Sequence, residues 1–276
     1  MNQDQKEKDV LELEYLPFPN LAEIFLFRKI GANRWETIVK SLFDIYSEFY
    51  LNKKSKNYLS NASHLYSEKL KYRINTLNEI VDNLNNEFLK KIISNGIKVN
   101  NNVLPSLNTT INKIKKELKE IEKQRPLLFG HGDLCFNNIL VEPISGSIKL
   151  IDPKADFIEN KKFAYIDPFY DLAKLNHSFG CFYDSIVNNM FSISFNKDEY
   201  KLKIFKPFNY EIANFYFQKI FLDNFIDKEL LRILTSNLFL SMIPLHKDDE
   251  QKMGALLIIG ISLFYDIDMD NYILEK

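Results

Sequence analysis

The sequence predicts an α+β fold that is mostly helical, with one small β-hairpin set between two helical blocks. Three observations carry this expectation. Apolar residues recur at three- and four-residue spacing from Ile38 to Ile121, and apolar-rich stretches with few turn signals return from Asn209 to Asp266. Between these blocks, residues Ile139–Glu142 and Ser147–Ile151 read as two short β-rich arms with Gly146 in the turn. No internal repeat or low-complexity linker divides the chain. Its 276 residues, 46% of them hydrophobic, suffice for a core in one large domain or two small ones.

Taken in order, Val10-Leu-Glu-Leu-Glu-Tyr-Leu-Pro-Phe-Pro19 alternates apolar and acidic residues and predicts a strand that Pro17 and Pro19 terminate. Leu21 to Phe27 is a short apolar turn of helix. Glu36 to Tyr50 follows as a helix with Ile38, Leu42, Ile45 and Phe49 at helical spacing. Residues 62–94 continue through Leu70, Ile74, Leu77, Val81, Leu84, Phe88 and Ile92 as one long helix or two in line, too short for a convincing coiled coil. Lys69 and Arg73 lie four apart on its polar side and read as a solvated face. Asn95-Gly96 to Pro105 is an Asn-rich connection, and Ile111, Ile114, Leu118 and Ile121 then mark an amphipathic helix ending before Pro126. Helices are predicted over residues 209–222, 228–243 and 253–266, whose many Phe and Tyr residues read as a bulky aromatic core rather than a stacking platform.

Composition excludes several functions. A formal net charge of -1, from 36 basic and 37 acidic side chains, provides no field to attract nucleic acid or an acidic membrane surface. Cys135 and Cys181 show no C-x-x-C spacing and make no disulfide scaffold, so a reducing, cytoplasmic setting is expected, with both thiols as small buried apolar groups. No apolar run approaches the roughly 18 residues of a membrane span, and the polar first ten residues contain no signal-peptide core. A soluble protein is expected.

The chemistry concentrates where the chain pauses between its helical blocks. A short apolar run delivers His131-Gly132-Asp133, a polar turn brings Asn137 and Asn138, and the hairpin ends on Asp152. This reads as a catalytic loop, with one carboxylate to receive a proton and an amide and second carboxylate to hold a metal. The spacing of His131-Gly132-Asp133, Asn138 and Ile151-Asp152, followed by Asp167-Pro-Phe-Tyr-Asp-Leu-Ala173, resembles the aminoglycoside phosphotransferase and choline kinase family, the small-molecule branch of the protein-kinase-like fold.

The resemblance implies that Asp133 is the catalytic base and that Asn138 and Asp152 hold Mg²⁺ against the phosphates of ATP. It makes His131 and Asp171 supporting residues that orient the loop, where the plainer alternatives are a buried histidine and a helix N-terminal carboxylate. Lys154, Lys161 and Lys162 lie near the expected phosphates and could close over the substrate, although a solvated loop is the preferred reading. Gly132 replaces the arginine of protein kinases, Pro153 follows the metal aspartate, and no A-P-E segment appears, which favours a small-molecule acceptor over a protein. Glu14, Tyr15 and Leu16 resemble the family's nucleotide hinge.

By that reading, residues 1–19 form a tail and hinge-like strand, and residues 20–276 form the helical C-terminal lobe of a protein-kinase-like fold, with the hairpin at its active site. An N-terminal lobe of roughly a hundred residues, with a phosphate-gripping lysine, is expected from the family but not found upstream, where Gly31 is the first glycine. A separate chain supplying that lobe is one expectation, and a non-catalytic binding or scaffold remnant is the alternative. The layout of residues 60–80 and 154–166 looks similar to phosphotransferases associated with bacterial surface-polysaccharide synthesis.

Overall fold

A computed structural model describes residues 14–50, 59–154, 156–158, 161–163, 165–196, 198–223 and 227–274, with residues 156–158 and 161–163 described by their backbone alone. Glu14, Tyr15 and Leu16 form no strand, and residues 10–13 of the predicted strand lie outside the described residues. Proline has no N–H, so this segment pairs only where its carbonyls can serve. Val141 N–H donates to Pro19 O at 3.0 Å, and Asn20 bridges Leu140. Asn20 then caps α1 (Leu21–Phe27), its Oδ1 accepting the Glu23 N–H at 2.8 Å.

Helix α2 (Ala32–Tyr50) buries Trp35, Ile38, Val39, Leu42, Tyr46 and Tyr50 along one stripe. After β1 (Leu59–Ser60), the predicted long helical run divides into α3 (Ser67–Asn83) and α4 (Glu87–Ser94), because Asn86 Oδ1 accepts the Leu89 N–H at 2.9 Å and starts a new helix. The Asn-rich connection is a hairpin of β2 (Ile97–Val99) and β3 (Asn102–Leu104). It turns through Asn100 and Asn101 at φ 46° and 66°, the left-handed values that a two-residue hairpin turn needs and that asparagine tolerates.

Helix α5 (Leu107–Ile121) leads through a 3₁₀ turn to β4 (Arg125–Pro126), which pairs with β1, and then to β5 (Leu128–Phe129). The predicted hairpin is β6 (Ile139–Val141) with β7 (Ile148–Leu150), in the register Ile139 to Leu150 and Val141 to Ile148. Strands β8 (Asp156–Ile158) and β9 (Lys161–Phe163) form a second hairpin within the stretch read as a loop, and the Lys161 and Lys162 side chains lie outside the described residues. Strand β10 (Tyr165–Ile166) returns antiparallel to β5 and leads into α6 (Pro168–Phe179) and α7 (Tyr183–Val187).

Strands β11 (Phe191–Asn196) and β12 (Glu199–Ile204) were not anticipated. They pair antiparallel, and β12 lies parallel to β2, which completes a four-stranded sheet in the order β11-β12-β2-β3. Helix α8 (Tyr210–Phe217) continues as a π-helical turn over Gln218–Leu222, and α9 (Lys228–Met242) and α10 (Glu250–Phe264) close the chain's helical set. Both α9 and α10 are buried on nearly every side, as expected of helices apolar all round. The α+β, mostly helical expectation therefore holds. A single hydrophobic cluster runs from Leu21 to Tyr272. Among the described residues, no helix is long and apolar enough to cross a membrane.

The core also reaches the loop that runs from His131 to Asn138. Trp35, Phe25, Phe136, Phe179, Phe217, Phe221, Tyr46 and Tyr50 form a continuous path of ring contacts, with successive centroids 4.6–6.0 Å apart. The aromatic residues are thus core, and Phe136, fully buried between Asp133 and Asn138 in sequence, fastens the loop to it. Phe136→Ala is expected to cost about 3–5 kcal/mol through the cavity it leaves. Urea unfolding measures this, and a loss below about 1 kcal/mol would show that the ring is no anchor.

Candidate active site

The loop begins with two glycines whose geometry the fold requires. Gly130 lies against the Tyr50 hydroxyl so closely that any Cβ there would collide with it. Gly132 has φ +77°, and an added Cβ would press Ile166 Cδ1 and Lys154 Cβ at 3.0 Å. A residue with a side chain, such as the arginine of protein kinases, would be both strained and crowded here.

Helix α6 holds this loop from beneath. Its cap is Asp167, fully buried, whose Oδ1 accepts the Phe169 N–H at 3.0 Å, with Pro168 in the first turn. Arg125 binds both Asp167 oxygens, at 2.6 and 3.2 Å, and the Tyr66 hydroxyl adds a bond of 2.8 Å. With the helix capped, Asp171 is released to bond elsewhere. Its buried carboxylate accepts the N–H groups of His131 at 3.0 Å, Gly132 at 3.1 Å and Leu134 at 3.4 Å, and the Tyr50 hydroxyl at 2.5 Å. Burial raises the pKa of Asp171, while the Tyr50 hydroxyl and the backbone donors favour its ionised form. Burial and Asp171 in turn raise the Tyr50 phenol, which therefore stays a donor.

His131 stitches the loop to the end of the β6–β7 hairpin. Its Nδ1 accepts the Asp133 N–H at 3.2 Å, which assigns the ring proton to Nε2, placed 2.9 Å from Ile151 O. Lys154 N–H donates to His131 O at 2.8 Å, and Ile151 N–H to Asn138 O at 3.0 Å. Asp152 lies inside these stitches, exposed and at φ +54°, a left-handed backbone that favours aspartate and asparagine among residues with side chains. Asn138 donates from Nδ2 to Asp133 O at 2.9 Å and to Asp133 Oδ2 at 3.4 Å, which turns its Oδ1 the other way. Asp133 and Asn138 are therefore held by one network with His131 and Asp171 at its centre, while Asp152 is exposed between the fastened residues Ile151 and Lys154 and does not line the cleft beside Asp133. Glu14, Tyr15 and Leu16 do not line the cleft beside it.

Asp133 has a partner that the sequence reading missed. Lys174 Nζ lies 2.8 Å from Asp133 Oδ1, reaching it from α6 one turn beyond Asp171. Burial alone would lower the Lys174 pKa, but Tyr170 and Asp133 outweigh it and leave the amine above its ordinary value. The signal was the three-residue spacing from Asp171 to Lys174, which puts both on one helix face.

Beside Asp133 opens a cleft of about 380 Å³, lined by Lys69, Arg73, Asp133, Asn137, Asn138, Lys154, Tyr170, Lys174, His177 and Tyr183 among others. Lys69 and Arg73 are thus not a solvated face. Helix α3 packs against α9 and the turn Ile243–His246, which directs its polar side across the cleft toward the loop. Lys69 Nζ donates to the Tyr170 hydroxyl at 2.5 Å. Burial, Lys174 and Lys154 together push the Lys69 amine down, whereas burial raises the Tyr170 phenol and is outweighed by Lys174 and Lys69.

Among the described residues, no group of three or more His, Cys, Asp or Glu side chains comes together to hold a metal. Asn138 and Asp152 offer an amide and a carboxylate oxygen, hard donors that fit Mg²⁺ where phosphate oxygens and water complete its shell. In comparisons with known proteins, the chain matches no family model, no curated protein and no solved structure.

Two measurements test this description. Tyr50→Phe removes one donor from a buried carboxylate and is expected to cost about 1.5–3 kcal/mol in urea unfolding; an unchanged midpoint would remove Tyr50 from the network. Burial and the nearby Asp133 push the Cys135 thiol up to about 11, so it should resist iodoacetamide at neutral pH and react as pH rises toward that value. Alkylation at pH 7 as fast as that of a free thiol would contradict the burial of this loop.

Proposed function

We propose that the cleft transfers the γ-phosphoryl group of ATP to a hydroxyl of a small metabolite, with Asp133 as the base. The observation that supports this most directly is the network that joins Asn138 to Asp133 and fastens Ile151 and Lys154, on either side of Asp152, to the same loop. Asp133, Asn138 and Asp152 are the positions that the H-G-D-x-x-x-x-N and I-D motifs give to base and metal ligands.

The two oxygens of Asp133 are not equivalent. Oδ1 is engaged by Lys174 at 2.8 Å, while Oδ2 has only the long 3.4 Å approach of Asn138 and is free to accept the hydroxyl proton. As the acceptor oxygen bonds to the γ-phosphorus, the bond from that phosphorus to the bridging oxygen breaks. The electron pair leaves on ADP, and the proton passes to Asp133 Oδ2. Asn138 Oδ1 and Asp152 would hold Mg²⁺, which when bound offsets the charge of the phosphate groups. Lys174 fixes the direction of Asp133 and offers a cation beside the transferring group. His131 and Asp171 act on the backbone, keeping Asp133 N–H and the loop amides in place.

The test is ADP formation from ATP with a metabolite extract as acceptor. The full chain is expected to form ADP only with Mg²⁺ and an acceptor, and Asp133→Ala to abolish it. Lys174→Met, which loses charge and orientation, is expected to lower kcat about 10²-fold. An undiminished rate in Asp133→Ala, or no ADP under any condition, would overturn the reading and leave a binding module.

A further inference from the structure

Four cations line the cleft against the single carboxylate of Asp133: Lys69, Arg73, Lys154 and Lys174. Lys174 is engaged by that carboxylate. Lys69 and Arg73 are not so engaged. They lie four residues apart on one face of α3, and among the described residues neither meets an acidic partner. Lys69 spends one donor on the Tyr170 hydroxyl, and Arg73 Nε is buried without a hydrogen-bond partner. Cations gathered in a half-closed cleft repel one another, and a buried guanidinium donor without an acceptor is costly. An anion relieves both.

Resting on the phosphotransferase reading, we propose that the acceptor is itself an anion: a hydroxylated metabolite whose phosphate or carboxylate group seats on Lys69 and Arg73 while its hydroxyl reaches Asp133. A cleft of about 380 Å³ is at the small end of ligand sites and suits a molecule the size of a monosaccharide derivative. A cationic acceptor would enter a field of its own sign. The lowered pKa of Tyr170 agrees, since Lys174 and Lys69 outweigh the effect of burial there, and Lys69 is lowered first by burial and then by Lys174.

Calorimetry on the full chain without nucleotide tests the site, with glucose 6-phosphate and glucuronate as probes and glucose and choline as controls. One of the two anions should bind at least about tenfold more tightly than glucose, and the better one identifies the group as phosphate or carboxylate. Lys69→Met and Arg73→Met should each weaken it about tenfold at unchanged melting temperature, with Arg73→Lys recovering part of the loss.

Equal affinity for glucose, a preference for choline, or full affinity in Arg73→Met would overturn the proposal. So would displacement of glucose 6-phosphate by ATP whose own binding falls equally in both methionine variants, because the cations would then belong to the nucleotide. Anion binding that depends on Lys69 and Arg73, in a chain that forms no ADP, would sustain the anion site and overturn the phosphotransferase reading.

Discussion

The fold of the loop from His131 to Asn138 depends on one buried carboxylate. Asp171 takes three backbone amides and a tyrosine hydroxyl, and a carboxylate so deeply placed is stable only while those donors stay with it. The dependence is mutual, because the amides of His131, Gly132 and Leu134 have no strand or helix to bond instead. Helix α6 serves as the platform for this exchange. Asp167, Asp171 and Lys174 recur along one of its faces at intervals of four and three residues, and each binds a different part of the site. Asp167 locks the helix to Arg125 and Tyr66, Asp171 shapes the loop, and Lys174 meets Asp133.

Around this polar face the packing is aromatic. The path of aromatic rings from Trp35 through Phe136 to Tyr50 begins and ends on α2, passing through the loop, α6 and α8 on the way. Its last ring carries the hydroxyl that donates to Asp171. Polar geometry and core packing are therefore coupled through Tyr50, so a repacking of the aromatic core is felt at the loop.

The sequence made much of this legible, for reasons that separate neatly. Helices with one apolar stripe, such as α2 and α5, announce themselves by spacing, and Gly146 marks the hairpin. The β11–β12 strands were missed although Phe191-Ser-Ile-Ser-Phe195 alternates, and the Asn100-Asn101 turn was read as a connection although asparagine is suited to positive φ. Joining β12 to β2 needs a contact between residues a hundred apart, Tyr200 and Val99, which no local pattern reveals. Lys69 and Arg73 were misread because a polar cleft and bulk water impose the same pattern on a helix face. Asp133, Asn138 and Asp152 stand in a motif that can be read locally, whereas the spacing of Lys174 from Asp171 shows only a shared helix face, and tertiary packing decides that this face meets Asp133.

Gly130 carries a consequence for how this sequence can change. What excludes a side chain at this position is the end of the Tyr50 side chain, its hydroxyl foremost and its Cζ and Cε1 behind it. Replacing the glycine first forces the tyrosine aside and strips a donor from Asp171. Replacing the tyrosine first, with phenylalanine, removes the same donor before any space is gained for position 130. Neither order leaves the bonds of Asp171 intact, so the two residues, eighty apart in the chain, constrain each other's replacement.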